Sequence, residues 1–552
     1  MNRLYYGDNL DVLRDTEAFP NACVDLIYLD PPFNSKRDYA VLFKSPQGQE
    51  SEAQITAFED TWHWGKQAER EFDEILHQPN TDVAELMKAL RGFLGENDMM
   101  AYLVMMANRL LELHRVLKPT GSLYLHCDPT ASHYLKVVLD GVFGKTNYRS
   151  EISWKRSSAH NDAKQGRKLP GNIRDIIFFY TKSDEWTWNW QYTAYDESYV
   201  ADFYKYVDEK TGRRYRLGDL TAAKPGGDVS YEFHGTRPYK GRYWAYSREN
   251  MEKYLAEGRL YFPKSGGTPS YKRYLDEMPG VPLQNAWDDI RPVQPDEYLG
   301  YPTQKPVALL ERIISSSSNE GDVVLDPFCG CGTAVHAAQK LRRRWLGIDI
   351  TCLAISLIEK RLKKAFKTGL EFEVHGTPKD LESARDFAKR DKYQFQWWAV
   401  SLVEAQPFQG KKKGADGGID GIKFFGDYEQ KDEKLSKGSQ PVHKNCKIVV
   451  SVKGGENLKA DDVRALNHVR EREGAEIALL ISLAEPTKWM IADAATAGFY
   501  QDGAGRKFPR VQLLTIEGLL AGKQRAEHPD YLPDMNFKKA KQEATGEQKK
   551  LL

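Results

Sequence analysis

Two short stretches, far apart in the chain, carry residue types suited to chemistry. Asp30-Pro31-Pro32-Phe33 follows the run Val24 to Leu29, apolar except for Asp25, so a rigid loop is expected at the carboxyl end of a buried strand. Proline fixes φ and lacks a backbone donor, which leaves the Asp30 carboxylate and the Pro31 carbonyl as acceptors aimed at one point. Such a pair suits an exocyclic amine on a nucleobase, whose lone pair is delocalised into the ring. Accepting its hydrogens favours the tetrahedral nitrogen that can attack a methyl group, and Phe33 would stack on a base taken out of its helix. The second stretch, Asp326-Pro327-Phe328-Cys329-Gly330-Cys331-Gly332-Thr333, follows a strand at Val323 to Leu325 and opens a helix. There a glycine turn lets backbone approach a nucleotide ligand. The next strand, Trp345 to Ile348, ends in Asp349, placing a carboxylate where it meets ribose hydroxyls. Val335 stands at the third glycine of the dinucleotide pattern, which disfavours NAD and leaves another adenosine-containing cofactor.

Alternating α and β segments must hold these loops. Leu103, Met106, Leu110 and Leu113 recur at helical spacing before Pro119-Thr120-Gly121, and Ser122 to Cys127 reads as a strand. Helices are expected near Pro306 to Ser315, Ala334 to Leu341 and Ile350 to Phe366. From about 186 to 300 the pattern becomes aromatic, basic and Gly-rich. Lys205, Lys210, Arg213, Arg214, Arg216, Lys224, Arg237, Lys240 and Arg242 are interleaved there with Tyr206, Tyr215, Phe233, Tyr239, Tyr243 and Trp244, a mixture suited to phosphate contacts and base stacking. His126, His133 and His336 lack ligand spacing and are expected to pack. Phe58, Trp62 and Trp64, near Asp60, are left outside the site.

Taken together, the motifs at 30–33, at Tyr301-Pro302-Thr303-Gln304-Lys305-Pro306 and at 328–332 resemble the beta-class amino-group DNA methyltransferases that use S-adenosylmethionine, whose catalytic loop precedes the cofactor loop. The resemblance covers residues 1–370. It implies a permuted Rossmann-like fold with a target-recognition region inserted at about 186–300, and double-stranded DNA as partner. It makes Asp30, Pro31, Pro32 and Phe33 catalytic, and Phe328, Gly330, Gly332 and Asp349 cofactor-binding, with Thr303 and Lys305 near the cofactor's methionine end. Phe33 replaces the family's usual Tyr but keeps a stacking face. Asp rather than Ser at position 30 points to the N6-amino group of adenine, the alternative being the 4-amino group of cytosine.

Past an expected linker at 371–390, Gly417-Gly418-Ile419-Asp420-Gly421 and Ile448-Val449-Val450-Ser451-Val452-Lys453 resemble the Mrr-like restriction endonuclease fold of the PD-(D/E)XK class. That predicts a smaller α/β domain over 391–525 with a nucleolytic set of Asp420, Lys453 and, as substitute acid, Glu404. Ser451 stands where that class carries a second ligand for Mg²⁺, and a hydroxyl is a weak ligand for so hard a cation. The module is therefore expected to hold DNA and to cut weakly or not at all. An active nuclease would need Mg²⁺ and make the chain a bifunctional restriction-modification protein. A basic tail is expected over 526–552.

Composition bounds the rest. At about 150 residues per domain, 552 residues suggest three or four structural units. Lys+Arg 79 against Asp+Glu 78 leaves a net charge of +1, so any basic surface must be local. Six scattered cysteines do not form a disulfide framework, and Cys329-x-Cys331 lacks the second ligand pair of a zinc site. With no secretory leader and no run of about 20 apolar residues, a cytoplasmic, non-membrane protein is expected.

Overall fold

The computed structural model describes residues 1–32, 38–44, 50–59, 63–158, 168, 170–224, 230–301, 303–366, 370–408, 417–428 and 443–530, with side chains left out at 38–44, 50–59 and 443. It divides into two compact units, one of them spanning 190–284.

The larger unit is built on a nine-stranded mixed sheet. Its strands are β1 (Asn2–Tyr6), β2 (Val24–Leu29), β3 (Leu117–Cys127), β4 (Tyr148–Lys155), β5 (Arg174–Thr181), β6 (Ala286–Trp287), β7 (Val323–Asp326), β8 (Arg344–Asp349) and β9 (Phe372–His375), in the spatial order β6-β4-β5-β3-β2-β7-β8-β1-β9. From β3 to β9 every neighbouring pair is parallel, whereas β5 is antiparallel to both β3 and β4. Parallel strands covered on both faces read as nearly continuous apolar runs, which is why Val24 to Leu29 and Val323 to Leu325 could be found without alternation. Leu26, Ile27, Val324 and Leu325 are at most 1% exposed, each burial contributing about 1.5–3 kcal/mol. Five helices of this half matter below: α1 (Asn9–Arg14), α2 (Asp98–Val116), α3 (Val307–Ser317), α4 (Thr333–Lys340) and α5 (Cys352–Ala365).

The stretch 371–390 is not a linker. It contains β9 at the sheet edge and a helix, α6 (Leu381–Arg390), whose Ala384, Phe387 and Ala388 are buried. Asp380 caps α6 by accepting from the Ser383 N–H at 2.8 Å. The following helix α7 (Lys392–Leu402) buries Phe395 and Trp398 in the same cluster, which also takes in Cys352 of α5 and packs Tyr6 at its border. Gln394 Oε1 accepts the Cys352 N–H at 3.1 Å, and the Tyr6 and Phe387 rings meet edge-on at 5.5 Å. Beyond α7 comes a second sheet of β10 (Gln406–Pro407), β11 (Gly421–Tyr428), β12 (His443–Lys453), β13 (Ile477–Ser482) and β14 (Val511–Thr515), in sequential order. Residues 526–530, the start of the expected basic tail, dock on the domain, since Gln512 exchanges hydrogen bonds with the Glu527 backbone at 2.7 and 2.8 Å.

The unit at 190–284 folds around Leu220, Phe233, Trp244, Met251 and Leu260. Three aromatics expected to face a ligand, Tyr215, Phe233 and Trp244, are thus interior, because so small a unit has few other large apolar residues to bury. Among the cations, Arg213 holds Asp276 and Glu277, and Arg242 holds Asp219. Lys205, Lys210, Arg214, Lys224 and Lys240, with Tyr206 and Tyr239, are exposed.

Candidate active site

Pairing of β2 with β7 sets Leu26 against Val324 and Ile27 against Leu325. The loops leaving these strands therefore open at the same end of the sheet, although nearly 300 residues separate them. With the loops after β1 and β8 they line a cavity of about 270 Å³, at the carboxyl ends of parallel strands, where open α/β sheets take ligands. Asp30, Pro31, Pro32, Thr303, Lys305, Phe328, Gly330 and Asp349 are all on its wall. Phe33 and Pro302 lie outside the described residues. Gly332 is not on the wall, and its part is steric. At φ +74° a Cβ there would come within 2.7 Å of Ile358 Cγ1, so the turn closes directly on α5. Gly330, at φ +50°, would place a Cβ 3.3 Å from the Tyr301 ring.

The Lys305 ammonium donates to Asp30 Oδ2, and lies 3.4 Å from the Thr303 carbonyl oxygen. Lys305, expected near the cofactor's methionine end, is on the cavity wall and pairs there with the Asp30 carboxylate. Asp30 Oδ1 is buried and has no hydrogen-bond partner among the described residues. A buried carboxylate oxygen left unpaired is costly. The loop thus holds an acceptor ready for a donor that enters the cavity.

Asp349 closes the other end. Its Oδ2 accepts from the Gly330 N–H at 2.9 Å, and its Oδ1 from the Thr351 N–H and hydroxyl, both at 2.9 Å. Burial pushes its carboxyl up to about 6 despite these bonds. Lone pairs remain on both oxygens for further donors. Asp326, which the sequence reading treated only as a loop residue, is a third carboxyl on the wall. Burial, reinforced by the Asp30 and Asp349 charges, pushes it well above the usual carboxylate range. Also unforeseen is the brace behind the glycine turn. Asn9 Nδ2 donates to the Pro327 carbonyl at 2.8 Å, and Arg109 of α2 donates to the Asn9 side chain and, at 2.9 Å, to Asp8. The visible clue was Gly7-Asp8-Asn9, a second polar turn after a strand.

The histidines divide. His336 packs on Phe366 at 5.0 Å, as expected, but His133 is exposed, and His126, fully buried, is hydrogen-bonded rather than merely packed. Trp64 packs against Phe72; Trp62 and Asp60 lie outside the described residues and no side chain is described for Phe58.

In the C-terminal sheet the three residues expected to act together hold different partners. Asp420 Oδ2 accepts the Val452 N–H at 2.7 Å and the Ser451 hydroxyl at 3.3 Å. Lys453 lies 3.3 Å from Asp462. Glu404 is not on the preceding helix, which ends at Leu402; it sits beyond it at φ +57°, with its carboxylate 3.6 Å from Lys423. Among the described residues no group of three or more His, Cys, Asp or Glu side chains could hold a metal ion, and no helix is long and apolar enough to cross a membrane.

Residues 24–360 match the model of a family described as DNA methylase. The type II methyltransferase M.EcaI of Enterobacter cloacae is 32% identical over 47% of this chain and 57% of its own length. The Mod subunit of the type III restriction-modification enzyme StyLTI of Salmonella typhimurium is 27% identical over 62% of this chain and 50% of its own. The chain thus spans about half the length of these two relatives. The DNA adenine methyltransferase YhdJ of Escherichia coli is 24% identical over 64% of this chain and 81% of its own length.

Proposed function

Since this chain belongs to the DNA methylase family, its match covering well over half of the sequence, we propose that it transfers a methyl group from S-adenosylmethionine to the N6-amino group of adenine at specific sites in double-stranded DNA, within a restriction-modification system. The observation that carries this reading is Asp30 Oδ1, without a hydrogen-bond partner among the described residues, in the wall of a cavity whose far end is the acid-and-glycine loop of Asp349 and Gly330. The named relatives, among them an adenine methyltransferase and a type III Mod subunit, support it.

The residues fit the cofactor. Asp349 has acceptors to spare for ribose hydroxyls, and the Gly330–Gly332 turn keeps side chains out of the way. When bound, S-adenosylmethionine supplies an electrophilic methyl group. Asp30 Oδ1 and the Pro31 carbonyl accept the hydrogens of the amine and orient its lone pair, while Lys305 fixes Asp30 through Oδ2. Most of the rate gain comes from this positioning, with Phe33 stacking on the extruded base. In this reading the order of the loops makes the sheet a permuted Rossmann-like one, the region 186–300 reads the target, and the C-terminal PD-(D/E)XK-like module holds DNA and cuts it weakly or not at all.

Unmethylated plasmid incubated with S-adenosylmethionine and sequenced for base modification tests the assignment. N6-methyladenine in one sequence context is expected. Label on cytosine alone would move the chemistry to the 4-amino group, and no label on DNA would refute the reading.

A further inference from the structure

The sheet interior carries a row of polar side chains that the account above does not use. Tyr28 of β2 lines the cavity together with Asp30. Its hydroxyl meets His126 Nδ1 of β3 at 3.0 Å, and His126 Nε2 meets Asp175 Oδ2 of β5 at 3.1 Å. Arg156, just past β4, brings its Nε within 3.2 Å of Asp175 Oδ1 and is 38% exposed. The row therefore crosses adjacent strands from the cavity wall toward solvent. Tyr28, His126 and Asp175 are at most 2% exposed. Three buried polar groups cost free energy that apolar residues would not, and the sheet here could have been closed with Phe and Leu. The Trp154 ring stands edge-on to His126 at 5.7 Å and holds the imidazole in line.

A carboxylate only accepts, so His126 Nε2 carries a ring hydrogen toward Asp175, and in the neutral imidazole Nδ1 accepts the Tyr28 O–H. Burial alone would raise the Asp175 carboxyl, but the His126 bond together with the charges of Lys305 and Arg156 holds it below its usual value. Burial and the carboxylates of Asp30 and Asp326 hold the Tyr28 hydroxyl well above its usual range, which keeps it neutral. These groups, with Asp128 near Asp175, are the charges that face the row.

Resting on the methyl-transfer reading, we propose that Tyr28, His126 and Asp175 carry away the proton that the target amine must lose. Attack of the amine would form an N–C bond as the methyl–sulfur bond breaks, its electron pair staying on the sulfur of the departing demethylated cofactor, and would leave the amine nitrogen positively charged. An N–H bond then breaks, its electron pair staying on nitrogen, and the proton forms an O–H bond at Tyr28 as the original Tyr28 proton forms an N–H bond at His126 Nδ1. The imidazolium is held by Asp175. After the product leaves, the proton returns through Tyr28 to water. Tyr28 is then catalytic, and His126 and Asp175 are positioning residues that act through it.

Two measurements test the row. In the unliganded protein, long-range ¹H–¹⁵N NMR should show His126 as the Nε2–H tautomer, with an Nδ1 shift that changes in Tyr28→Phe; an Nδ1–H tautomer would overturn the proposal. Methylation rates measured from pH 5.5 to 9 should show Tyr28→Phe and Asp175→Asn about 10²-fold slower in kcat, the lower range for proton transfer. KM for DNA and cofactor affinity should change less than twofold, and His126→Gln should slow kcat to the same extent as Tyr28→Phe. Wild-type kcat and profile in a Tyr28→Phe protein of unchanged melting temperature would refute the relay alone. Should Tyr28→Phe fail to fold, Asp175→Asn answers the same question. Absence of methyl transfer by the wild-type protein would remove the parent reading and the relay with it.

Discussion

Replacing Lys305 by Met removes one charge from a pair whose side chains are 10% and 15% exposed and keeps a stem of similar length. At that burial each ion has given up several kcal/mol of hydration, which the contact offsets only while both partners are present. Breaking such a pair costs about 3–5 kcal/mol, because the remaining carboxylate is stranded. Here the penalty is sharpened, since Asp30 Oδ1 already lacks a partner and loss of Lys305 would leave Oδ2 without its ammonium as well. Removing both charges in Asp30→Asn/Lys305→Met should recover most of the loss, as neutral replacement of buried pairs is often neutral or stabilising. With a urea m-value of about 3 kcal/mol per M, the single variant's midpoint should fall by about 1 M or more, and the double variant's should lie between it and wild type. Tryptophan fluorescence in urea reads the order directly. Equal midpoints for Lys305→Met and wild type, or a double variant less stable than Lys305→Met, would refute the view that Lys305 exists to neutralise Asp30. Methyl transfer should be lost in both variants.

Asp349, pushed up to about 6 by burial, should tie cofactor affinity to pH: a protonated carboxyl accepts ribose hydroxyls poorly, so binding by calorimetry should weaken about tenfold from pH 7 to pH 5. Because its folded value is raised, the same group favours the unliganded fold at low pH and loses that contribution as pH rises from about 4 to about 6, the opposite sign; Asp349→Asn should abolish both trends, and a pH-independent affinity in wild type would contradict this assignment. Asp420→Ala should lower stability by about 1–3 kcal/mol by orphaning the Val452 N–H, while DNA incubated with Mg²⁺ or Mn²⁺ should be cut weakly or not at all by the wild-type protein. Double-strand cutting lost in Asp420→Ala would make the chain bifunctional.

What could be read from the sequence was whatever is encoded locally. β2 falls on Val24 to Leu29, as its apolar run requires, and β7, α4, β8 and α5 lie within two residues of expectation. Both loops were recognisable because proline and glycine act on their own backbone. Partners across strands were not. His126 pairs in register with Ile177, and its bonds to Tyr28 and Asp175 depend on three strands from different parts of the chain lying side by side. Lys305 and Asp30 likewise meet only through the fold. The segment 371–390 misled for a different reason. The apolar stripe of α6 is thin, set among Asp380, Glu382, Arg385, Asp386, Lys389 and Arg390, so composition outweighed periodicity although the Asp380–Ser383 cap was there to be read. Tyr215, Phe233 and Trp244 show the converse: in a small unit, large aromatics are needed inside before they can be offered outside.

The contact between Gln394 and the first turn of α5 bears on how this gene can be divided. The opening N–H groups of a helix have no partner within it, and the Cys352 N–H, three residues past Asp349, takes its acceptor from a side chain of the C-terminal third. Phe387 covers Tyr6 in the same way on the strand leading to Gly7 and Asn9. A chain stopped near residue 370 would keep every motif of the methylase half and yet lose the outer support of both loops that frame the cofactor end. The terminal module is therefore a buttress as much as a passenger, and a truncated enzyme that binds its cofactor poorly would be reporting a missing wall rather than a missing activity.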